Sequence, residues 1–185
     1  MSVRDVFEKL RAALEQVEIP YFVTGSFASS AHGIPRATND IDIVIAPSAE
    51  QLQRLLEEFP EAQFAKYEED AFDALKRRSQ FQIIDYATMW KVDFMLHRQT
   101  PFDHSRFARR SVVEIAGVTL ETASAEDILV TKLWWLKLGE SERQLNDVIG
   151  ILKVQGSSLD REYVEHWVKV LELDSQWLAA LERAG

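Results

Sequence analysis

The chain reads as a mixed α/β protein: a small mixed sheet flanked by helices over residues 1–122, then a helical C-terminal part over residues 123–185. Three observations predict this. Short segments such as Asp40–Ile45 and Lys91–Leu96 alternate or concentrate apolar residues at strand length. Val3, Phe7, Leu10 and Leu14 recur at helical spacing ahead of them. After residue 123 the strand-like segments stop and helical periodicity runs almost to the end. With 185 residues, 46% of them hydrophobic and 28% charged, the chain suits one well-packed domain with a helical appendage. The boundary near residue 122 is soft, and the two parts are not independent folding units.

Taken in order, residues 3–17 form an amphipathic helix that Pro20 ends, and Tyr21-Phe22-Val23 is a short strand running into Thr24-Gly25-Ser26. A second helix over 26–33 stops at Gly33 and Pro35. Asp40–Ile45 is the next strand, and Ser48 caps a helix to about Glu58 that buries Leu52, Leu55 and Leu56. The middle is strand-rich. Phe81–Ala87 and Lys91–Leu96 form one hairpin across Thr88-Met89-Trp90, and Ser111–Ile115 with Val118–Glu121 form another around Ala116-Gly117. Ser124-Ala125-Glu126-Asp127 resembles a capping box before an apolar helix. Leu145, Val148, Ile149 and Leu152 mark the next helix, and two more fill 160–183.

A net charge of −9 argues against coating nucleic acid through a broad basic stripe. The two positive clusters, Lys76-Arg77-Arg78 and Arg106/Arg109/Arg110, read as solvated faces. The absence of cysteine excludes disulfides and thiolate metal sites and fits a cytoplasmic protein. No apolar run approaches the roughly 20 residues of a membrane span. MSVRDVFEKL carries charge where an export signal needs an apolar stretch.

The chemistry concentrates in GSFASSAHGIPRATNDID, residues 25–42. Asp40 and Asp42 lie two apart on a strand, so both side chains leave one face while Ile41, Ile43 and Ile45 leave the other. Two carboxylates one pleat apart repel each other, and a divalent cation removes the penalty. Mg²⁺ takes carboxylate oxygens together with phosphate and water. A solvent-facing strand would carry the same pattern, and glycosyltransferases also use a D-x-D motif; 39 residues ahead of it are too few for their nucleotide-binding domain. Gly25-Ser26 sits between a strand and a helix, where free N–H groups and a hydroxyl hold phosphate, or where serine simply caps the helix. Asp93 is a third carboxylate inside an apolar strand, suited to act as general base or to share the metal; Asp85 is its rival and ranks below it. Arg36, in Arg-x-Thr-x-Asp-x-Asp with Thr38, either reaches a phosphate or pairs with a catalytic aspartate. His32 is a packing or surface residue.

Hydrophobic-Gly-Ser, a gap of thirteen residues, Asp-x-Asp and a later lone aspartate together resemble the polymerase-beta-like nucleotidyltransferase superfamily over residues 20–97. The resemblance implies a nucleotidyltransferase-fold core. It implies that Asp40 and Asp42 hold Mg²⁺ (Mn²⁺ as its substitute) and the NTP phosphates, with Asp93 at the same metal deprotonating the acceptor hydroxyl. It implies that Gly25 and Ser26 hold the triphosphate.

In the helical part Lys132 interrupts an apolar stripe and either snorkels outward or faces an anion. Arg143 and Asp147 stand at i, i+4, the spacing of a solvated helix pair. Lys132…Arg143…Asp147 nevertheless resembles the second half of the abortive-infection (AbiEii-type) toxin nucleotidyltransferases and their small bacterial relatives. That likeness implies Lys132 on phosphate and Asp147 on the nucleotide or on Lys132. Trp134, Trp135, Trp167 and Trp177 read as core or interface aromatics.

The expected activity is metal-dependent transfer of NMP from an NTP to an acceptor hydroxyl with release of pyrophosphate, toxin-like in setting. The acceptor is a tRNA end, a protein or a small molecule, and a cognate antitoxin is the expected partner. The alternative is a non-catalytic nucleotide-binding partner protein of a toxin–antitoxin system on the same fold.

Overall fold

The computed structural model describes residues 2–139 and 141–185. Its centre is a seven-stranded mixed sheet, built from β1 (Tyr21–Thr24), β2 (Asp40–Ile45), β3 (Phe64–Ala65), β4 (Gln80–Asp85), β5 (Lys91–Leu96), β6 (Ser111–Ile115) and β7 (Val118–Thr122) in the order β3-β4-β5-β2-β1-β7-β6. β2 runs parallel to β5 and antiparallel to β1, and β1 runs parallel to β7. Both expected hairpins form, β4 with β5 and β6 with β7.

The alternation along β2 decides how the layers pack. Ile41, Ile43 and Ile45 are buried on one face with α1 (Val3–Gln16), α3 (Ala49–Glu57) and α4 (Glu68–Arg77). Val44 lies on the other face, under a second apolar cluster that includes α6 (Ala125–Gly139), α7 (Glu142–Gln155), α8 (Arg161–Val170) and α9 (Asp174–Ala184). Asp40 and Asp42 share Val44's face. Burial therefore falls along it, from buried Val44 through half-buried Asp42 to exposed Asp40. On β5 the residues of this face are all half-buried: Met95 packs against the helical cluster, and exposure rises from the Asp93 side chain to that of Lys91. The helical layer thus covers one end of this sheet face and leaves the carboxylate end open.

Local signals explain the element ends. Ser2 and Ser48 form capping boxes with Asp5 and Gln51. The Ser124 hydroxyl accepts from the Asp127 backbone N–H and donates to the Asp127 carboxylate, so this cap closes on the hydroxyl and leaves out the reciprocal backbone bond. Ala116 and Gly117, at φ 52° and 78°, make the tight turn of the β6–β7 hairpin. β4 ends at Asp85, two residues earlier than Phe81–Ala87 suggested, because the Asp85 carboxylate accepts from Ala87 N–H and starts the turn there.

Two helices fall in stretches for which the sequence predicted no element. α4 buries Ala71 and Ala74 and packs Phe72 and Leu75 beside them, an apolar stripe of four residues inside a short segment of ten. α5 (Pro101–Arg109) is capped by Thr100 and buries Asp103 and Arg106, which masks the pattern further. Arg106 is accordingly no solvated-face residue. It is 8% exposed, pairs with Asp103, donates to Thr24 Oγ1 at 3.3 Å and lies over the Phe22 ring. Lys76 and Arg77 are exposed as expected. Trp167 and Trp177 are core, Trp134 packs against it, and Trp135 is exposed. Among the described residues no helix is long and apolar enough to cross a membrane.

Candidate active site

The site forms where β1 turns into α2 (Gly25–His32) against the open end of β2 and β5. Thr24 pairs with Asp42 across the β1–β2 ladder, so the chain after Thr24 passes directly over the Asp42 side chain. Gly25 makes that passage with φ 64°. A Cβ placed there would lie 1.9 Å from Asp42 Oδ2, so no other residue fits. The Gly-Ser step therefore seats a carboxylate against the start of a helix, whose free N–H groups favour negative charge.

Asp42 and Asp93 are register partners on adjacent parallel strands, and Asp40 is the partner of Lys91. Burial raises the Asp42 pKa above the usual carboxylate range, and the neighbouring Asp93 charge raises it further. Lys132 and the Ser26 backbone N–H oppose that rise. The donors gathered here are all carboxylate oxygens, the hard ligands that Mg²⁺ takes. Among the described residues no three His, Cys, Asp or Glu side chains are gathered into a complete metal cage. Mg²⁺ does not need one, since one or two carboxylates suffice when phosphate oxygens and water complete the shell. Asp42 and Asp93, carboxylates in register on adjacent strands, fit such an ion in the chemistry of their donor oxygens.

A buried ionic cluster closes the other side. Asp147, from α7, takes a two-pronged contact from Arg36, with Nε at 2.8 Å and the second prong at 3.2 Å. Lys132 Nζ, from α6, lies 2.8 Å from the same carboxylate. Arg36 also donates to the Ser26 hydroxyl and so ties the helical part to the Gly-Ser step. Burial would raise the Asp147 pKa, but hydrogen bonds from Arg36 and Lys132 outweigh it and hold the group below its ordinary value.

Of the residues singled out by sequence, Gly25, Ser26, Arg36, Asp42, Asp93, Lys132 and Asp147 converge here. Asp40 sits at the exposed rim. Thr38 is a turn residue, its hydroxyl 3.4 Å from both the backbone N and the backbone O of Asp40. The structure shows what Arg36 and Asp147 contact within the chain. Arg36 makes an internal ion pair, with Asp147 and not with Asp40 or Asp42. Asp147 pairs with Arg36 and Lys132 and is buried, so it does not form a solvated helix pair with Arg143. Asp85 belongs to the opposite face of β4, with Phe81 and Ile83, and caps a turn. His32 Nε2–H donates to the Ala123 carbonyl oxygen at 2.8 Å, a packing contact. One residue of the site went unremarked. Lys91 Nζ lies 2.9 Å from Asp93 and 3.9 Å from Asp40. The hydrogen bond to Asp93 is the main reason its pKa rises. Its place two residues before Asp93 on one strand was the available signal.

The family described as "Nucleotidyl transferase AbiEii toxin, Type IV TA system" matches residues 9–176, a span that includes every residue of this site. The chain belongs to the AbiEii nucleotidyltransferase family. It is a nucleotidyltransferase, and the site just described lies within the family match. Solved structures of low identity share the fold. ANT(2″)-Ia, solved in complex with adenylyl-2″-tobramycin, is 15% identical with a TM-score of 0.62, covering 91% of this chain and 95% of that one. The lincosamide adenylyltransferase LnuA, lincomycin-bound, is 12% identical with a TM-score of 0.56, covering 83% and 98%. An antigenic nucleotidyltransferase-like protein from Paracoccidioides brasiliensis is 18% identical with a TM-score of 0.54, covering 92% and 90%. No curated protein is similar to this nucleotidyltransferase in sequence.

Proposed function

We propose that this AbiEii-family nucleotidyltransferase moves NMP from an NTP to an acceptor hydroxyl and releases pyrophosphate, with Mg²⁺ held by Asp42 and Asp93 and, at the rim, Asp40. The observation that carries the reading is the register of Asp42 against Asp93, with the Gly25-Ser26 helix start laid over Asp42. A bound Mg²⁺ supplies charge neutralisation on the phosphoryl oxygens.

The chain's own groups do the rest. The N–H groups and hydroxyl at Gly25-Ser26 receive phosphate oxygens. Lys132 and Arg36, fixed by Asp147, set positive charge beside the same step, where developing negative charge in the transition state is stabilised without reorganisation. Asp93 takes the proton of the acceptor hydroxyl as its oxygen attacks the α-phosphorus. The bond from that phosphorus to the bridging oxygen breaks, and pyrophosphate leaves with the electron pair. Thr38 shapes the turn that delivers Asp40. The division of work follows the notional boundary near residue 122: the sheet carries the carboxylates, and the helical part contributes Lys132 and Asp147.

The family description supports a toxin role in a two-component system, with a cognate antitoxin as partner. The acceptor is a hydroxyl on a tRNA end, a protein or a small molecule, and the reaction belongs to the cytoplasm, where NTP is abundant. The test is incubation with each labelled NTP, Mg²⁺ and a cell extract, followed by identification of the component that gains label. Mg²⁺-dependent labelling of one component is the expected result. No labelled component, together with no NTP binding by calorimetry, would overturn the reading.

A further inference from the structure

The cations around the carboxylates are not equivalent. Arg36 and Lys132 are committed to Asp147 on the helical side. Lys91 instead lies among the carboxylates themselves. It opens β5 opposite Asp40 and stands two residues before Asp93 on the same face. Its ammonium is 2.9 Å from Asp93 Oδ2 and 3.9 Å from Asp40 Oδ1. An ammonium so placed occupies one oxygen of each carboxylate, and a divalent cation that takes those oxygens has to displace it. The β2–β5 ladder fixes the Lys91 backbone, which leaves only the side chain to move. That side chain is 36% exposed and has solvent to swing into.

We propose that Lys91 is the internal counter-cation of this site: it neutralises Asp93 and Asp40 while no divalent ion is bound and surrenders their oxygens when one binds. The consequence is a bias against bare divalent cation and towards an ion that arrives with nucleotide phosphates, whose added contacts in the site offset the displacement of Lys91. Lys91 acts through Asp93 and Asp40 and is a positioning residue. The inference rests on the assignment of those carboxylates to the metal.

The experiment is a titration of Mn²⁺ into nucleotide-free protein, followed by the electron paramagnetic resonance signal of the free ion, for wild type, Lys91→Met and Lys91→Arg. A unit positive charge about 5 Å from a divalent ion, even at the dielectric of water, weakens binding about tenfold. Lys91→Met should therefore bind Mn²⁺ about tenfold more tightly than wild type, and Lys91→Arg should stay within about twofold of it. The melting temperature of Lys91→Met should fall in metal-free buffer and recover with Mn²⁺, more than in wild type. Equal or weaker Mn²⁺ binding by Lys91→Met, with wild type binding measurably, overturns the counter-cation role alone. No Mn²⁺ binding by Lys91→Met overturns the counter-cation role, and no binding by either protein even with ATP present overturns the metal assignment with it.

Discussion

Asp147→Asn is the sharpest probe of how the helical part holds the site. The carboxylate is 4% exposed and accepts from Arg36 twice, at 2.8 and 3.2 Å, and from Lys132 at 2.8 Å. Removing its charge leaves the Lys132 ammonium, 6% exposed, and the Arg36 guanidinium, 24% exposed, beside each other without the carboxylate that pairs both. Breaking one partner of a buried pair costs roughly 3–5 kcal/mol, and the partial exposure of Arg36 puts the expectation at about 3 kcal/mol. In a chain of this size each kcal/mol moves the melting temperature by about 2–4 °C, so calorimetry should show a fall of about 6–12 °C. The double variant Asp147→Asn/Lys132→Met should regain at least about half of the loss, because the uncompensated buried ammonium is gone. The pH dependence has a definite sign. Asp147 has a lowered pKa, so its contribution is complete above the ordinary carboxylate value and is lost as pH falls through the lowered one. The gap between wild type and Asp147→Asn should thus be widest above about pH 5 and narrow towards pH 3. A loss below about 1 kcal/mol, or a double variant no better than the single one, refutes the reasoning.

Other expectations follow from single contacts. Gly25→Ala forces a Cβ onto Asp42 Oδ2 and a left-handed backbone onto alanine, so transfer should be lost and stability should fall by at least about 2 kcal/mol in urea titrations. Asp93→Asn should reduce turnover at least about 100-fold with NTP binding retained, as expected for loss of a proton acceptor. Asp85→Asn should lower stability by about 1 kcal/mol through its turn and leave transfer kinetics unchanged; equal kinetic losses at both positions would mean that the third carboxylate is misassigned.

The legible parts of this chain were those where one residue type repeats with the period of its element. The isoleucines of β2 declared a strand and, by alternation, put Asp40 and Asp42 on the opposite face. Ser48 and Gln51 declared a helix start in the same way. Helix α4 offered an apolar stripe of only four residues in a short segment, Ala71, Phe72, Ala74 and Leu75, and α5 was masked because it buries Asp103 and Arg106. Charge is read from sequence as exposure, and α5 inverts that. The site shows the same limit. Asp42 and Asp93 are both strand residues, and their pairing follows from strand order. The pairing of Asp147 with Arg36 joins residues on α7 and on the loop after α2, and no local spacing encodes it. Arg143, at the familiar i, i+4 distance, was the competing partner. Lys91 was visible but ambiguous, since a lysine at the start of a strand commonly marks nothing more than the surface.

The claim on which everything else depends is that the Asp42 carboxylate, seated under Gly25 and opposite Asp93, is where metal and nucleotide meet. Transfer of label from an α-labelled NTP in the presence of Mg²⁺, compared between wild type and Asp42→Asn at matched folding, tests it most directly. The account predicts that the variant folds, since the buried and mutually repelling charge is gone, and that it transfers no label. Transfer at the wild-type rate by Asp42→Asn would contradict it.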